Sequence, residues 1–373
     1  MAHQKISIIG AGIGGLVLQR SLLSRGIAAT VYEKAQAATH RHNYAITLHT
    51  YSYKPLLQIL NLDEQDFRSK VGVDAKIGGM GRLPQSEDAT SIRVNRARFE
   101  KLLQEDLDIK WGWTVEDIWC SVNRPPVLKI ENGANITSDV IIGADGVHSM
   151  VRNECLPAWK PDVLPFVVFN GKKKFSRQEY DEHWAKNFEN VNVVQMKQGD
   201  TILSIGLNDV DQDAASLSWI YSRPARGTSD TLYKPSRSNS EAKDTPEDLY
   251  QEISNLQQLP APFATMFDVT AMKEDRTLHW LMRRVLVPLE DLQELGRAGL
   301  WMLGDSVHAE QIVGGSGANT TIVDAISMAE HIAERGFKHI DEWYAQQYPR
   351  WEEAQKKSSS NIYEIHGISQ SKI

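Results

Sequence analysis

Lys5 to Ile9 is a short, mostly apolar run, and the six residues after it, Gly10-Ala11-Gly12-Ile13-Gly14-Gly15, open a segment whose apolar positions Leu16, Val17, Leu22 and Leu23 recur at helical spacing. Gly26 ends that segment, and a second apolar run, Ala29 to Tyr32, leads to Glu33. Strand, glycine turn, helix, strand and acidic residue in that order make a βαβ unit of the dinucleotide-binding kind. Each residue type has a mechanical reason. Gly10 permits the tight turn, Gly12 lets backbone approach a pyrophosphate, and Gly15 lets helix and strand pack closely, with Gly14 in the same turn. Free N–H groups and the dipole at the helix N-terminus attract phosphate. Glu33, followed by Lys34, stands where a carboxylate accepts hydrogen bonds from the adenosine ribose. This unit alone does not separate NAD from FAD.

Two further signatures follow it. Gly143-Ala144-Asp145-Gly146 closes the apolar run Val140-Ile141-Ile142, and Gly304-Asp305 leads into Gly315-Ser316-Gly317-Ala318-Asn319. The order and spacing of the three predict FAD held across the length of the chain. At 373 residues the chain suits two intimately joined units. A net charge of −7 gives no basic field for nucleic acid. Cys120 and Cys155 make neither a metal spacing nor a disulfide framework, which suits a reducing compartment; no metal is expected. The first strand begins almost at once, leaving no room for a signal peptide, and no apolar run approaches a bilayer span. A cytoplasmic enzyme is expected, or a peroxisomal one, because Ser371-Lys372-Ile373 nearly matches the Ser-Lys-Leu address.

The middle of the chain changes texture. Ser52 to Leu60 and Asn95 to Leu107 read as helices, and Lys129 to Ile136 as a hairpin turning at Asn132-Gly133 in type I′ geometry. Val167 to Asn170, Val191 to Met196, Thr201 to Leu207 and Leu217 to Tyr221 alternate like strands of an antiparallel sheet, with Lys172-Lys173-Lys174 as a solvated strand end. Arg223 to Thr245 reads as a long surface loop. Pro246 to Gln258 and Pro262 to Phe267 read as helices, Leu300 to Leu303 as a buried strand, and a helix opens near Gly315 and runs to about Glu334. A polar helix over Asp341 to Ser358 closes the chain.

On these residues the chain resembles the single-component flavoprotein monooxygenases, the aromatic-hydroxylase family typified by para-hydroxybenzoate hydroxylase, in its fungal secondary-metabolism form. Gly10, Gly12, Gly15 and Glu33 match the family's fingerprint. Val94-Asn95-Arg96-Ala97-Arg98-Phe99 matches the segment whose arginine, here Arg96, lies along the FAD. Asp145-Gly146 and Arg152 match the middle motif, associated with both FAD and NADPH. Asp305 matches the aspartate that accepts from the ribityl hydroxyls, and Gly315, Gly317 and Asn319 match the helix start that cradles the isoalloxazine and stabilises its reduced, negative form. Arg41, in His40-Arg41-His42-Asn43, falls where the family bears flavin-contacting residues.

The resemblance implies an α/β fold: a Rossmann-type FAD-binding domain (residues 1–160 and 285–335) interleaved with an antiparallel-sheet substrate domain (161–284), then a C-terminal helix and tail (336–373). It implies bound FAD, NAD(P)H as cosubstrate, O2, a flavin C4a-hydroperoxide, and hydroxylation or epoxidation of an aromatic, indole or polyketide-like molecule by a monomer or homodimer. There are departures. Ala309 and Ile312 stand where the family has prolines, and Gly314 where an arginine is common. The second proline borders the meeting place of oxygen, substrate and flavin, so an oxidative or non-redox cyclase or dehydrogenase on the same scaffold is the alternative. A regulatory flavin- or NAD-binding protein is a third reading, which intact flavin motifs oppose. His308, Ile312 and Tyr221 are the catalytic candidates, with Trp219 and His183 weighed as further relays.

Overall fold

Continuous apolar runs are what a strand buried on both faces requires, and Ile6–Ile9 and Val140–Gly143 are buried at every position. They are the inner strands of a five-stranded sheet ordered Leu300–Met302, Val140–Gly143, Ile6–Ile9, Ala29–Glu33, Ile109–Trp111, and every pairing is parallel. Ile9 registers with Gly143, and Gly143 with Met302. The three glycine signatures therefore leave the carboxyl ends of three adjacent strands, the edge where open α/β sheets bind ligands. This computed structural model describes residues 5–37, 44–83, 90–189, 191–313 and 316–368.

A second five-stranded sheet is antiparallel throughout, ordered Val193–Gln198, Thr201–Val210, Ala214–Pro224, Phe166–Ser176, Arg276–Trp280. Four of its strands fall where alternation predicts them. The edge strand Arg276–Trp280 was not expected, since its five residues carry three polar side chains. Between the two sheets hangs a ribbon of Ala45–Leu48 and Ile92–Asn95. Asn208 ties it to the antiparallel sheet, its Oδ1 accepting from Ala45 N at 3.1 Å and its carbonyl from Asn95 Nδ2 at 3.0 Å.

Several local expectations change. The helix expected over Asn95 to Leu107 is Arg96–Gln104: Asn95 ends a strand and caps it, accepting from Arg98 N at 3.1 Å. The hairpin pairs Arg124–Ile130 with Asn135–Thr137. Its turn is not type I′, because Gly133 takes a φ of +88° while Asn132 does not share the left-handed region. The Asn132 side chain accepts from Ala134 N instead. Lys172-Lys173-Lys174 lies within the strand Phe166–Ser176 and not at its end. Arg223 belongs to a strand and is fully buried, bonded to Asp230 and Glu252. Cys120 and Cys155 are free thiols.

The final helix is longer than its polar composition suggests, Ile340–His366. Ile340, Trp343, Tyr344, Gln347, Trp351, Ser358 and Ile362 form a buried stripe at helical spacing. The stripe covers the sheet edge, where Tyr344 Oη accepts from Met302 N at 2.8 Å. No helix among the described residues is long and apolar enough to cross a membrane.

Candidate functional site

The first turn is built by crowding. Gly10 has a φ of +101°, and a Cβ there would lie 2.7 Å from the Ala144 carbonyl oxygen. A Cβ on Gly15 would lie 2.0 Å from the Gly10 carbonyl oxygen, and one on Gly14 2.7 Å from Thr321 Cγ2. Gly12 differs: a Cβ there meets nothing within 4 Å. Three of these glycines are demanded by the protein's own packing, and the fourth faces open space of the kind a pyrophosphate needs. Gly15→Ala is expected to lose the fold, a cost on the order of 4–5 kcal/mol. Gly12→Ala is expected to leave the melting temperature of the cofactor-free protein unchanged and to weaken FAD in a fluorescence titration. Equal FAD affinity in Gly12→Ala would remove this glycine from the site.

Glu33 ends the second strand with its carboxylate fixed by two backbone amides, Ala11 N at 2.9 Å and Ala35 N at 2.7 Å. Its neighbour Lys34 is exposed. Asp145 caps the next short helix, Oδ2 accepting from Met150 N at 2.7 Å and Val151 N at 3.2 Å. Its Oδ1 is buried without a partner, and burial pushes its carboxyl above the ordinary value. Gly146 has a φ of +78° and open space beside it. Arg152, wholly buried, donates to Val147 O at 2.6 Å and Ser306 O at 2.8 Å, so it fastens the second signature to the third. Arg96 is enclosed, bonded to Glu100 at 2.7 Å and to the Tyr44 hydroxyl, and stacked over the Tyr44 ring at 5.3 Å.

Gly304, at a φ of +64°, turns the edge strand into the short helix Asp305–His308. Asp305 Oδ1 is buried without a partner, and a Cβ on Gly317 would stand 3.2 Å from it. Burial pushes this carboxyl up; His308 and Arg96 pull it down, and Glu310 and Asp324 push it up again. The long helix begins at Gly317 and runs to Arg335. Ala318 lies in its first turn, and Asn319 staples it to the ribbon: Oδ1 accepts from His49 N at 2.7 Å and Ser52 Oγ at 2.6 Å, and Nδ2 donates to Thr47 O at 3.0 Å. Asn319 thus acts on protein partners, which the resemblance did not foretell. Arg41 and Gly315 lie outside the described residues.

The catalytic candidates scatter. His308 is fully buried behind this turn, its Nε2 2.5 Å from Asp324 Oδ2 and its ring stacked on Trp351 at 4.7 Å. Ile312 is 56% exposed, although Ala309 and Gln311 just before it are buried. Tyr221 is locked in the antiparallel sheet, donating to Glu252 Oε2 at 2.5 Å. Burial first, then Glu252, pushes its hydroxyl well above the tyrosine range. Trp219 Nε1 donates to Asp275 at 2.9 Å, and His183 is surface-exposed.

Sequence reasoning missed three residues. Asp324 sits unexposed at the centre of His308, Arg350, Trp351 and Gly304 N. Glu310 closes over the start of the long helix, accepting from Ser316 N and Thr320 Oγ1, each at 2.8 Å. Arg93 is enclosed on one face of the ribbon, opposite Thr47. Only Asp324 left a signal: an acid within the apolar face of a helix demands buried partners.

A buried acceptor without a donor requires one from outside the protein. A ribityl hydroxyl is such a donor for Asp305, the space at Gly12 admits a pyrophosphate, and Glu33 lies at the matching strand end. The residues present fit FAD.

Comparison with known proteins agrees. Residues 123–350, more than half of the chain, match the FAD binding domain family. The chain is 30% identical to the FAD-dependent monooxygenase vrtH of Penicillium aethiopicum, over 97% of this chain and 92% of that protein. It is also 30% identical to the FAD-dependent monooxygenase aptC of Emericella nidulans, over 97% and 95%. Among solved structures, CtdE in complex with FAD and a substrate superposes with a TM-score of 0.74 at 15% identity, covering 97% of this chain and 90% of that one. HpxO of Klebsiella pneumoniae, complexed with FAD and uric acid, gives 0.70 at 18% identity, covering 99% and 90%.

Proposed function

The chain belongs to the FAD binding domain family, among FAD-dependent monooxygenases of the fungal secondary-metabolism type, and from that premise we propose that it uses NAD(P)H and O2 to hydroxylate or epoxidise an aromatic, indole or polyketide-like molecule. The observation that carries the proposal is the enclosed, unpartnered Asp305 carboxylate beside the start of the long helix. Bound FAD, once reduced, supplies an electrophilic oxygen atom taken from O2. The rest of the work belongs to the chain. Gly10, Gly12, Gly14 and Gly15 shape the pyrophosphate turn, and Glu33 and Lys34 meet the adenosine end. Arg96, Asp145 and Gly146 line the middle, where the resemblance also assigns Arg41. Gly304, Asp305, Gly317, Ala318 and Asn319 form the flavin end, to which the resemblance also assigns Gly315. In this reading residues 1–160 and 285–335 carry the cofactor and residues 161–284 the substrate.

A group of cations supports NAD(P)H as the electron source. His148 is held below its ordinary value by burial, then by Arg283, Lys34, Arg152 and Arg237. His279 is held down to about 4 by burial, then by Arg237, Lys234 and Arg283. Cations that disfavour one another's charge make a field suited to the phosphates of a nicotinamide dinucleotide.

Heat denaturation and filtration are expected to release a yellow molecule with the mass of FAD. Turnover is expected to need both NADPH and oxygen, with one atom of labelled dioxygen entering the product. Full turnover in anaerobic buffer without NADPH would favour the cyclase alternative and leave the FAD assignment standing.

A further inference from the structure

The chain has two cysteines, and the fold sets them side by side. Cys120 lies in the strand Val115–Ser121, and Cys155 ends the helix Met150–Cys155, which packs on that strand. The two thiols hydrogen-bond to one another. Both are unbridged and half-buried against the main core. The ladder at Cys120 is irregular. Trp119 registers with Val127 and Ser121 with Arg124, so Pro125 and Pro126 together stand opposite Cys120. Neither proline has an N–H to offer, and a two-against-one slip of this kind is a bulge, which re-aims the side chain beside it. Cys155 in turn closes its helix, where backbone is least constrained. Sulfurs already in hydrogen-bond contact on two such adjustable segments are within reach of an S–S bond.

The two sulfurs are not equivalent. The hydrogen bond with Cys155 outweighs burial and holds the Cys120 thiol below the ordinary cysteine value. The same bond first, then burial, then the charges of Cys120, Glu154 and Asp117 push the Cys155 thiol up. Peroxides react with thiolates, so Cys120 is the sulfur that reacts first and Cys155 the one that resolves it. The helix that carries Cys155 also serves the cofactor site. Asp145 accepts from Met150 N and Val151 N at its start, and Arg152, one turn before Cys155, donates to Ser306 O. A bond at Cys155 therefore fastens the far end of the helix that follows the second signature.

We propose that Cys120, as nucleophile, and Cys155, as resolving partner, form a reversible disulfide when hydrogen peroxide oxidises them, and that the bridge clamps the helix Met150–Cys155 to the strand Val115–Ser121. First, the Cys120 thiolate attacks peroxide. An S–O bond forms, the O–O bond breaks, and the departing hydroxide takes up the proton that Cys120 had released. Then the Cys155 sulfur attacks the sulfenic sulfur. An S–S bond forms, the S–O bond breaks, and the departing hydroxide takes the Cys155 proton. Two thiols have lost two electrons and two protons, and one peroxide has become two waters. A reducing thiol reopens the bridge by exchange. The inference goes beyond oxygenation and holds whatever the substrate is.

The test treats full-length, FAD-loaded protein with hydrogen peroxide, stops the reaction with catalase and counts the remaining thiols. Wild type is expected to lose both thiols together, to yield the Cys120 and Cys155 peptides joined within one chain by mass, and to regain both thiols with dithiothreitol. The oxidised protein should melt roughly 3–8 °C higher than the reduced one, as closing the loop between the two cysteines implies. The double variant Cys120→Ser/Cys155→Ser should show no such shift. Single variants separate the roles. Cys155→Ser should stop at a sulfenic acid on Cys120 that dimedone traps, and Cys120→Ser should react with peroxide at least roughly tenfold more slowly. Thiols that survive peroxide sufficient to oxidise glutathione, bridges between chains instead of within one, or an oxidised form that melts lower overturn the proposal. Equal peroxide rates in the two single variants overturn it as well, because Cys120 would then be no preferred nucleophile.

Discussion

Asp305→Ala is expected to strip the protein of FAD and leave its fold standing. The carboxylate is enclosed, one oxygen has no donor, and burial pushes its pKa up. In the cofactor-free protein it is therefore a liability at neutral pH. Its favourable contribution is fully present below the ordinary value of 3.8 and is lost as pH rises through the raised one. The cofactor-free variant should melt at least as high as wild type, and its stability should fall less as pH rises. With FAD the sign reverses. A hydroxyl donating to a charged acceptor contributes about 1.5–3 kcal/mol, so the dissociation constant should rise roughly tenfold to a hundredfold. Flavin fluorescence titration measures that change, and the rise in melting temperature on adding FAD should shrink with it. An unchanged dissociation constant would mean that the ribityl chain lies elsewhere.

The larger loss of stability is expected at Asp324. This carboxylate is wholly buried, and it accepts from His308 Nε2 at 2.5 Å, Arg350 Nη2 at 2.7 Å, Trp351 Nε1 at 2.9 Å and Gly304 N at 3.3 Å. Burial alone would raise its pKa; His308, Arg350 and Trp351 outweigh burial and hold it below the ordinary range. Burial likewise pulls His308 down, and Asp324 more than reverses it. Asp324→Ala leaves the imidazole without its partner, and breaking a buried pair from one side costs about 3–5 kcal/mol. Arg350 is 39% exposed and adds little to that figure. The pH dependence has a definite sign. The Asp324 contribution is present above 3.8 and is lost as pH falls through its depressed value. The His308 contribution is present below 6.5 and is lost as pH rises through its raised value. The pair stabilises fully between those limits, and the alkaline slope of wild type should vanish in Asp324→Asn and in His308→Gln. Chemical denaturation at several pH values reads both slopes. Additive effects in the double variant would deny that the two residues are coupled.

The sequence by itself determined the frame. A βαβ unit with a glycine turn and an acid after its second strand can be read from spacing alone, because glycine is required where backbone meets backbone, as at Gly10 and Gly15. Alternation disclosed four of the five strands of the second sheet, since one face of each must be apolar. Only the tertiary structure decided what the polar residues do. His308 reads as a candidate proton carrier until Asp324, far along another helix, is seen to hold it. Tyr221 reads as a candidate base until Glu252 is found at its hydroxyl. Asn319 reads as a flavin residue alone until His49, Ser52 and Thr47 are seen to hold its side chain as well. Cys120 and Cys155 read as separate thiols until the fold sets them side by side. Backbone conformation and apolar patterning are local and leave their mark in consecutive residues, whereas pairing between charges depends on which distant elements the fold brings together.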